Sequence, residues 1–189
     1  MNVKNFLTFS FVFMIIFLVT DGFHHRHFHT LSSTNCPDET KPLVVTIKSF
    51  HTKIFNFGQK VITEIVYEVE EPLNDLKMTA QISRCNYTKS SICELYLEKA
   101  TITDICEIIE MEDTAWTAYL QTFNPPISKC PIEPGNFTSR YASEKTDMID
   151  LSAWFSDGLW QIQNILYSGD QKVGCFITEI EIYTPEQEH

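Results

Sequence analysis

The chain has 189 residues, is 43% hydrophobic and 21% charged, and carries 14 Lys and Arg against 25 Asp and Glu. A net charge of −11 opposes a phosphate backbone instead of neutralising it, so nucleic acid is excluded as a partner. With 6 glycines and no Gly-rich phosphate fingerprint, nucleotide-binding folds drop out as well.

In chain order, Met1 to Asn5 carries one positive charge at Lys4. Phe6 to Val19 is apolar but short of the ~20 residues that span a bilayer, and Thr20 and Gly22 are small residues where a peptidase cuts. This predicts a signal peptide over 1–22 and a secreted product. Phe23 to Asn35 has no apolar period and includes His24, His25, His27 and His29, so 23–35 is expected to be a flexible His-rich leader ahead of a single domain over 36–189. A mature terminus at Phe23-His24-His25 would offer nitrogen donors for square-planar Cu(II) or Ni(II). The plainer reading is a polar tail, and no metal site is assigned.

Secretion places all six cysteines (Cys36, Cys85, Cys93, Cys106, Cys130 and Cys175) in an oxidising compartment. Without a C-x-x-C pair, three disulfides are the economical reading over zinc, and the spacing leaves about 15 pairings open. Asn86-Tyr87-Thr88 and Asn136-Phe137-Thr138 are N-glycosylation acceptors.

From Val44 onward the pattern is that of short strands. Val61, Ile65, Tyr67 and Val69 alternate with Glu64 and Glu68, and Leu76, Met78, Ala80 and Ile82 alternate with Lys77, Thr79, Gln81 and Ser83. The turn residues Glu71-Pro72-Leu73-Asn74-Asp75 between them predict a hairpin. Ile102, Ile105, Cys106 and Ile109 recur at helical spacing behind a Thr101/Asp104 capping pair, predicting one short helix that can extend toward Tyr119 but must stop before Asn124-Pro125-Pro126. Strands resume at 136–141, 159–167 and 173–183, the last two joined by Ser168-Gly169-Asp170. The fold class is mainly β and antiparallel, with a helix-bearing insertion between Cys93 and Cys130.

No nucleophile–base arrangement is present. Neither G-x-S-x-G nor H-E-x-x-H occurs, His51 is the one histidine away from the chain ends, and oxidised cysteines offer no thiolate. The chain is expected to be no enzyme, with no catalytic residue and no cofactor. The informative cluster is Leu151-Ser152-Ala153-Trp154-Phe155-Ser156-Asp157-Gly158-Leu159-Trp160, where large apolar side chains crowd an Asp-Gly turn that is ordinarily polar. Trp160 begins a strand and reads as core. Trp154 and Phe155 beside the turn suit a lipid-facing rim.

At these residues the chain resembles the ganglioside GM2 activator family, related in shape to MD-2-type lipid-recognition domains. The resemblance is carried by Asn35-Cys36, by Cys130-Pro131-Ile132-Glu133-Pro134-Gly135-Asn136-Phe137, by Ser152-Ala153-Trp154-Phe155 with Gly158 and Trp160, and by Lys172-Val173-Gly174-Cys175. It implies a β-cup around an apolar cavity, with disulfides Cys36–Cys175, Cys85–Cys93 and Cys106–Cys130. The family's further bridge nested in the third loop is missing, since no cysteine lies between Cys106 and Cys130.

The resemblance also implies lipid-binding residues at Trp154, Phe155, Leu159 and Trp160, with Trp116 and Tyr119 added from the variable insertion. The implied partners are a lipid or glycolipid, a membrane surface met peripherally and a hydrolase; the implied location is extracellular or lysosomal. Protonation toward the sequence pI near 4.9 should relieve repulsion from anionic lipid, so docking is expected to strengthen in acid. The alternatives are a soluble carrier of small hydrophobic ligands such as a sterol, fatty acid or odorant, and a receptor or protein-interaction co-factor.

Overall fold

Alternating side chains set the architecture. The computed structural model describes residues 27–37, 41–55, 60–86, 89–112, 119–142 and 155–183. The expected signal peptide and the first four leader residues lie outside that range. Among the described residues the elements are β1 (His27–Asn35), β2 (Val45–Phe55), β3 (Lys60–Val69), β4 (Leu76–Asn86), β5 (Lys89–Ile102), α1 (Ile105–Glu110), β6 (Phe123–Asn124), β7 (Gly135–Ala142), β8 (Gly158–Ser168) and β9 (Gln171–Tyr183). The predicted strands at 61–69, 136–141, 159–167 and 173–183 are present, each extended by a residue or two.

The strands follow the order β5-β4-β8-β9-β2-β3-β7-β6, with β1 also paired to β9. All pairings are antiparallel except β2 with β9, which is parallel and reduced to one partner pair, Val45 with Gly174. That single contact divides the sheet into two halves, β5-β4-β8-β9-β1 and β2-β3-β7-β6. Gly174 suits the crowded join, because a Cβ there would stand 3.0 Å from the Phe176 ring.

The halves fold toward each other. At one end Val45, Val69 and Phe137 from one half pack with Leu76 and Val173 from the other around Leu73, and Ile105, Cys106 and Cys130 lean on the same cluster. This end is closed. At the opposite end of β8 and β9 a separate cluster gathers Phe155, Trp160, Ile180 and Ile182 with Ile82 and Ile162. In the row of Trp160 and Ile180, the Thr30 hydroxyl of β1 bonds the Tyr141 hydroxyl of β7 at 2.5 Å, tying one half to the other.

Three expectations change. The leader is ordered from His27 onward: β1 pairs with β9 from His27–Tyr183 to Asn35–Phe176. Its hydrogen-bonded hydroxyls, Ser33 with Thr178 and Ser32 with Glu179, explain why no apolar period announced it. The hairpin between 61–69 and 76–83 does not form, since β3 pairs with β2 and β7 while β4 pairs with β5 and β8. The turn residues between them carry the chain across the closed end, where buried Leu73 exchanges backbone hydrogen bonds with Ile132. The capping pair does not cap: Thr101 is paired to Thr79 within β5, and Asp104 takes a left-handed conformation with no side-chain bond to the helix, which ends at Glu110.

The disulfides are Cys36–Cys175, Cys85–Cys93 and Cys106–Cys130, the pairing that the resemblance implied. The first spans 139 residues and joins the end of β1 to β9, whereas the second spans 8. Loop closure predicts unequal contributions, about 5 kcal/mol and about 2.5 kcal/mol. Replacing Cys36 and Cys175 together by Ser should therefore lower the urea midpoint far more than replacing Cys85 and Cys93, as read by circular dichroism.

Candidate functional site

Because neighbouring strand residues point to opposite faces, register decides which side chains meet between the halves. Arg84, Trp160 and Ile180 share one row across β4, β8 and β9, and Ile82, Ile162 and Thr178 share another. These rows lie on the inner face, since Thr30, opposite Ile180, reaches Tyr141 of the other half. The next row outward holds Cys85, Leu159 and Glu181. Phe155 and Trp160 are thus brought together, ring centroids 4.8 Å apart, while Leu159 faces away from them although it too is buried.

Among the described residues Trp160 is the best-enclosed aromatic, 1% exposed. Its indole N–H donates to the Ser156 carbonyl at 2.9 Å, satisfying the one polar atom that burial would strand. The Arg84 guanidinium lies 5.8 Å above its ring and donates to the Asp157 carbonyl at 3.1 Å. Phe155, read from sequence as an exposed rim residue, is 5% exposed and packs inside. Trp154 and Trp116 lie outside the described residues, as do His24 and His25.

The exposed aromatic is one that sequence reading missed. Tyr96 of β5 is 60% exposed, with its ring 5.1 Å from Trp160 and 6.4 Å from Phe155. It is the extra residue of a bulge, because Leu95 stands opposite Ser83 and Leu97 opposite Ile82 with nothing left for Tyr96. Bulges re-aim side chains, and here one turns Tyr96 over the aromatic pair. Ile92, Leu95 and Leu97 are exposed beside it on an edge strand. Their alternation in Ile92-Cys93-Glu94-Leu95-Tyr96-Leu97 was the available signal, obscured because both faces are apolar.

Between the two apolar clusters the interior carries hydroxyls. Thr30, Thr63 and Ser139 are buried. Tyr67, Tyr119 and Tyr141 join them: Tyr119 bonds Ser139 and Tyr67, and Tyr141 bonds Thr30 and Thr63. Tyr119, expected at a rim, belongs to this inner group and sets its ring edge-on to Phe123 at 5.5 Å. Burial pushes all three phenols up, Tyr67 well above its ordinary value and Tyr119 to about 12. Among the described residues no group of three His, Cys, Asp or Glu is placed to hold a metal ion. The arrangement suits uncharged, largely apolar matter with a few hydroxyl-bonding atoms.

No family model matches the chain. A curated relative, the ganglioside GM2 activator of Mus musculus, is 21% identical over 147 residues, which cover 75% of this chain and 76% of that protein. The chain is similar to a GM2 activator along most of its length. Two solved structures are similar at low TM-score. A Niemann-Pick type C2 protein from the Japanese carpenter ant has TM-score 0.35 and 10% identity, over 79% of this chain and 97% of that one. Chicken MD-1 complexed with lipid IVa has TM-score 0.30 and 13% identity, over 84% and 99%. The resemblance read from four short motifs thus extends to a relative aligned over three quarters of both chains.

The raised phenols set an alkaline limit. Their neutral form is favoured in the fold, so their contribution to stability is intact below pH about 10 and is lost as pH climbs through about 12. Tyrosinate absorbance from these side chains should rise only in that upper range, together with loss of the β circular-dichroism signal. Free titration of every tyrosine near pH 10 with the fold intact would contradict the buried hydroxyl group.

Proposed function

We propose that the protein is a secreted lipid-binding and lipid-transfer protein that holds a lipid or glycolipid between its two half-sheets and works without catalytic residues. One observation carries this reading. β8 is a central strand, flanked by β4 and β9, yet every residue from Gln161 to Ser168 is half-buried, including the inward-facing Ile162 and Leu166. Met78 and Ile82 of β4 and Phe176 of β9 are likewise half-buried on the same face. Facing them, Val61, Thr63 and Ile65 of β3 are buried and Phe176 meets the Tyr67 ring at 5.7 Å; we read the half-buried face of β4 and β8 as the apolar surface that a guest would cover, worth about 0.8 kcal/mol for each methylene taken out of water.

The similarity to the GM2 activator supports a glycolipid or related lipid as the guest, and it supports presentation to a hydrolase or a membrane as the use. The inner hydroxyls of Tyr67, Tyr119 and Ser139 would meet the uncharged polar part of such a molecule. Exposed Asn86 and Asn136 are the proposed glycan sites, and secretion follows from the predicted signal peptide. A soluble-ligand carrier uses the same hollow without touching membranes.

Native mass spectrometry of protein from its own secreting cells should reveal a co-purifying lipid mass that disappears on denaturation. Liposome co-sedimentation with anionic vesicles should rise as pH falls from neutral toward 4.9. Protein that arrives empty and takes up no lipid from vesicles would contradict the carrier reading. Loading without any vesicle binding would favour the soluble-ligand alternative.

A further inference from the structure

The molecule is strongly acidic overall but not everywhere. From Lys41 to Thr63 the sequence carries four lysines and no Asp or Glu, although the whole chain holds 25 of them. This stretch covers β2 and the start of β3. Val45 and Val69 belong to the closed-end cluster, so the β2–β3 hairpin tip stands at the opposite end, the end at which β8 begins with Trp160. There the structure exposes apolar side chains, Ile54 at 69% and Phe55 at 43%.

Register places the charges around them. Lys53, exposed, stands opposite Ile62, which stands opposite Ala142, so its row across the half-sheet contains no carboxylate. Lys60 stands opposite Phe55. Two rows inward, exposed His51 stands opposite Glu64, which has exposed Arg140 on its other side, so that row's single carboxylate is matched by a cation. Lys48 is different: it is already bridged to Glu68 and lies further from the tip. Among the described residues, this end of the hairpin thus combines two exposed apolar side chains, Ile54 and Phe55, with Lys53, whose row holds no carboxylate.

We propose that the end of the β2–β3 pair at Lys53, Ile54 and Phe55 is the protein's docking element for anionic bilayers, with Ile54 and Phe55 entering the interface and Lys53 meeting lipid phosphates. The proposal rests on the lipid-carrier reading and adds to it the contact surface and the lipid charge. It also resolves an apparent conflict: a chain with a net charge of −11 approaches a negative membrane by presenting its longest acid-free stretch. An apolar anchor beside a lysine gains from both burial and surface potential.

The test uses the full secreted protein and two vesicle compositions, phosphatidylcholine alone and phosphatidylcholine with phosphatidylserine. A lysine near an anionic surface contributes about 1 kcal/mol, so Lys53→Gln should weaken binding to the phosphatidylserine vesicles about fivefold and leave binding to neutral vesicles unchanged. The double variant Ile54→Ser, Phe55→Ser should weaken binding to the phosphatidylserine vesicles about tenfold. These side chains are exposed, so circular dichroism and the melting temperature should not change.

Uptake of a fluorescent phosphatidylcholine monomer, measured in parallel without vesicles, should match wild type in both variants. Normal uptake with vesicle binding insensitive to either variant would overturn the hairpin proposal and leave the carrier reading standing. Wild type that takes up no monomer would overturn the carrier reading, while the vesicle measurements still decide the hairpin. Equal binding of wild type to both vesicle compositions, or variants that change the lipid-free molecular mass by light scattering and so assign the tip to a second copy, would also overturn the proposal.

Discussion

Everything about this molecule depends on how little joins its two half-sheets along their length. A single parallel pair, Val45 with Gly174, links β2 to β9, and at the closed end Val45, Val69, Leu73, Leu76, Phe137 and Val173 pack together, while further along Tyr67 meets Phe176 and Thr30 bonds Tyr141. A single-domain protein ordinarily has one contiguous core. Here, among the described residues, the buried apolar side chains form two clusters, with Val61 and Ile65 of β3 buried outside both, and the inner face of β8 beyond Trp160 is half-covered. The disulfides respect the same division: Cys106–Cys130 reinforces the closed end, and Cys36–Cys175 lies beside the join. Covalent and apolar contacts therefore concentrate at one end, and the β8 face beyond it is left half-covered.

The polar interior follows from the same constraint. Where the halves approach without packing, backbone and side-chain polar groups need partners that come from across the gap. Thr30 with Tyr141, and Tyr119 with Ser139 and Tyr67, supply them. Asn35 does the same at the join, donating to the Ile47 carbonyl and accepting from the Ile47 amide at 3.0 and 2.8 Å. Among the described residues one buried side-chain oxygen, Oγ1 of Thr46, has no partner. It sits next to the join at Val45, where β2 leaves the ladder.

Strands with one buried and one wet face were legible in the sequence, because Val61 to Val69 and Leu76 to Ser83 write their faces into a period of two. Which strands pair was not legible. The turn residues Glu71 to Asp75 suit a hairpin locally, and only the burial of Leu73 at the closed end turns them into a crossover. β1 escaped notice because its ladder side chains are hydroxyls satisfied by β9, a property of the partner strand and not of the segment. β5 escaped because three register shifts break its period and both its faces carry apolar side chains. The aromatic site was half legible: Phe155 and Trp160 do meet, but the exposed ring beside them, Tyr96, comes from β5, and alternation sends Leu159 to the far face.

The pairing of β1 with β9 bears on how such a chain is made. Hairpin neighbours β2 and β3, β4 and β5, and β8 and β9 can zip as they emerge from the ribosome, but β1 has no neighbour until nearly the whole polypeptide has been synthesised. Through most of translation its amides wait unpaired, and Cys36 waits as a thiol for a mate 139 positions later. The order of oxidation is thereby biased toward the short-range bridges first, with the long one sealing the product last.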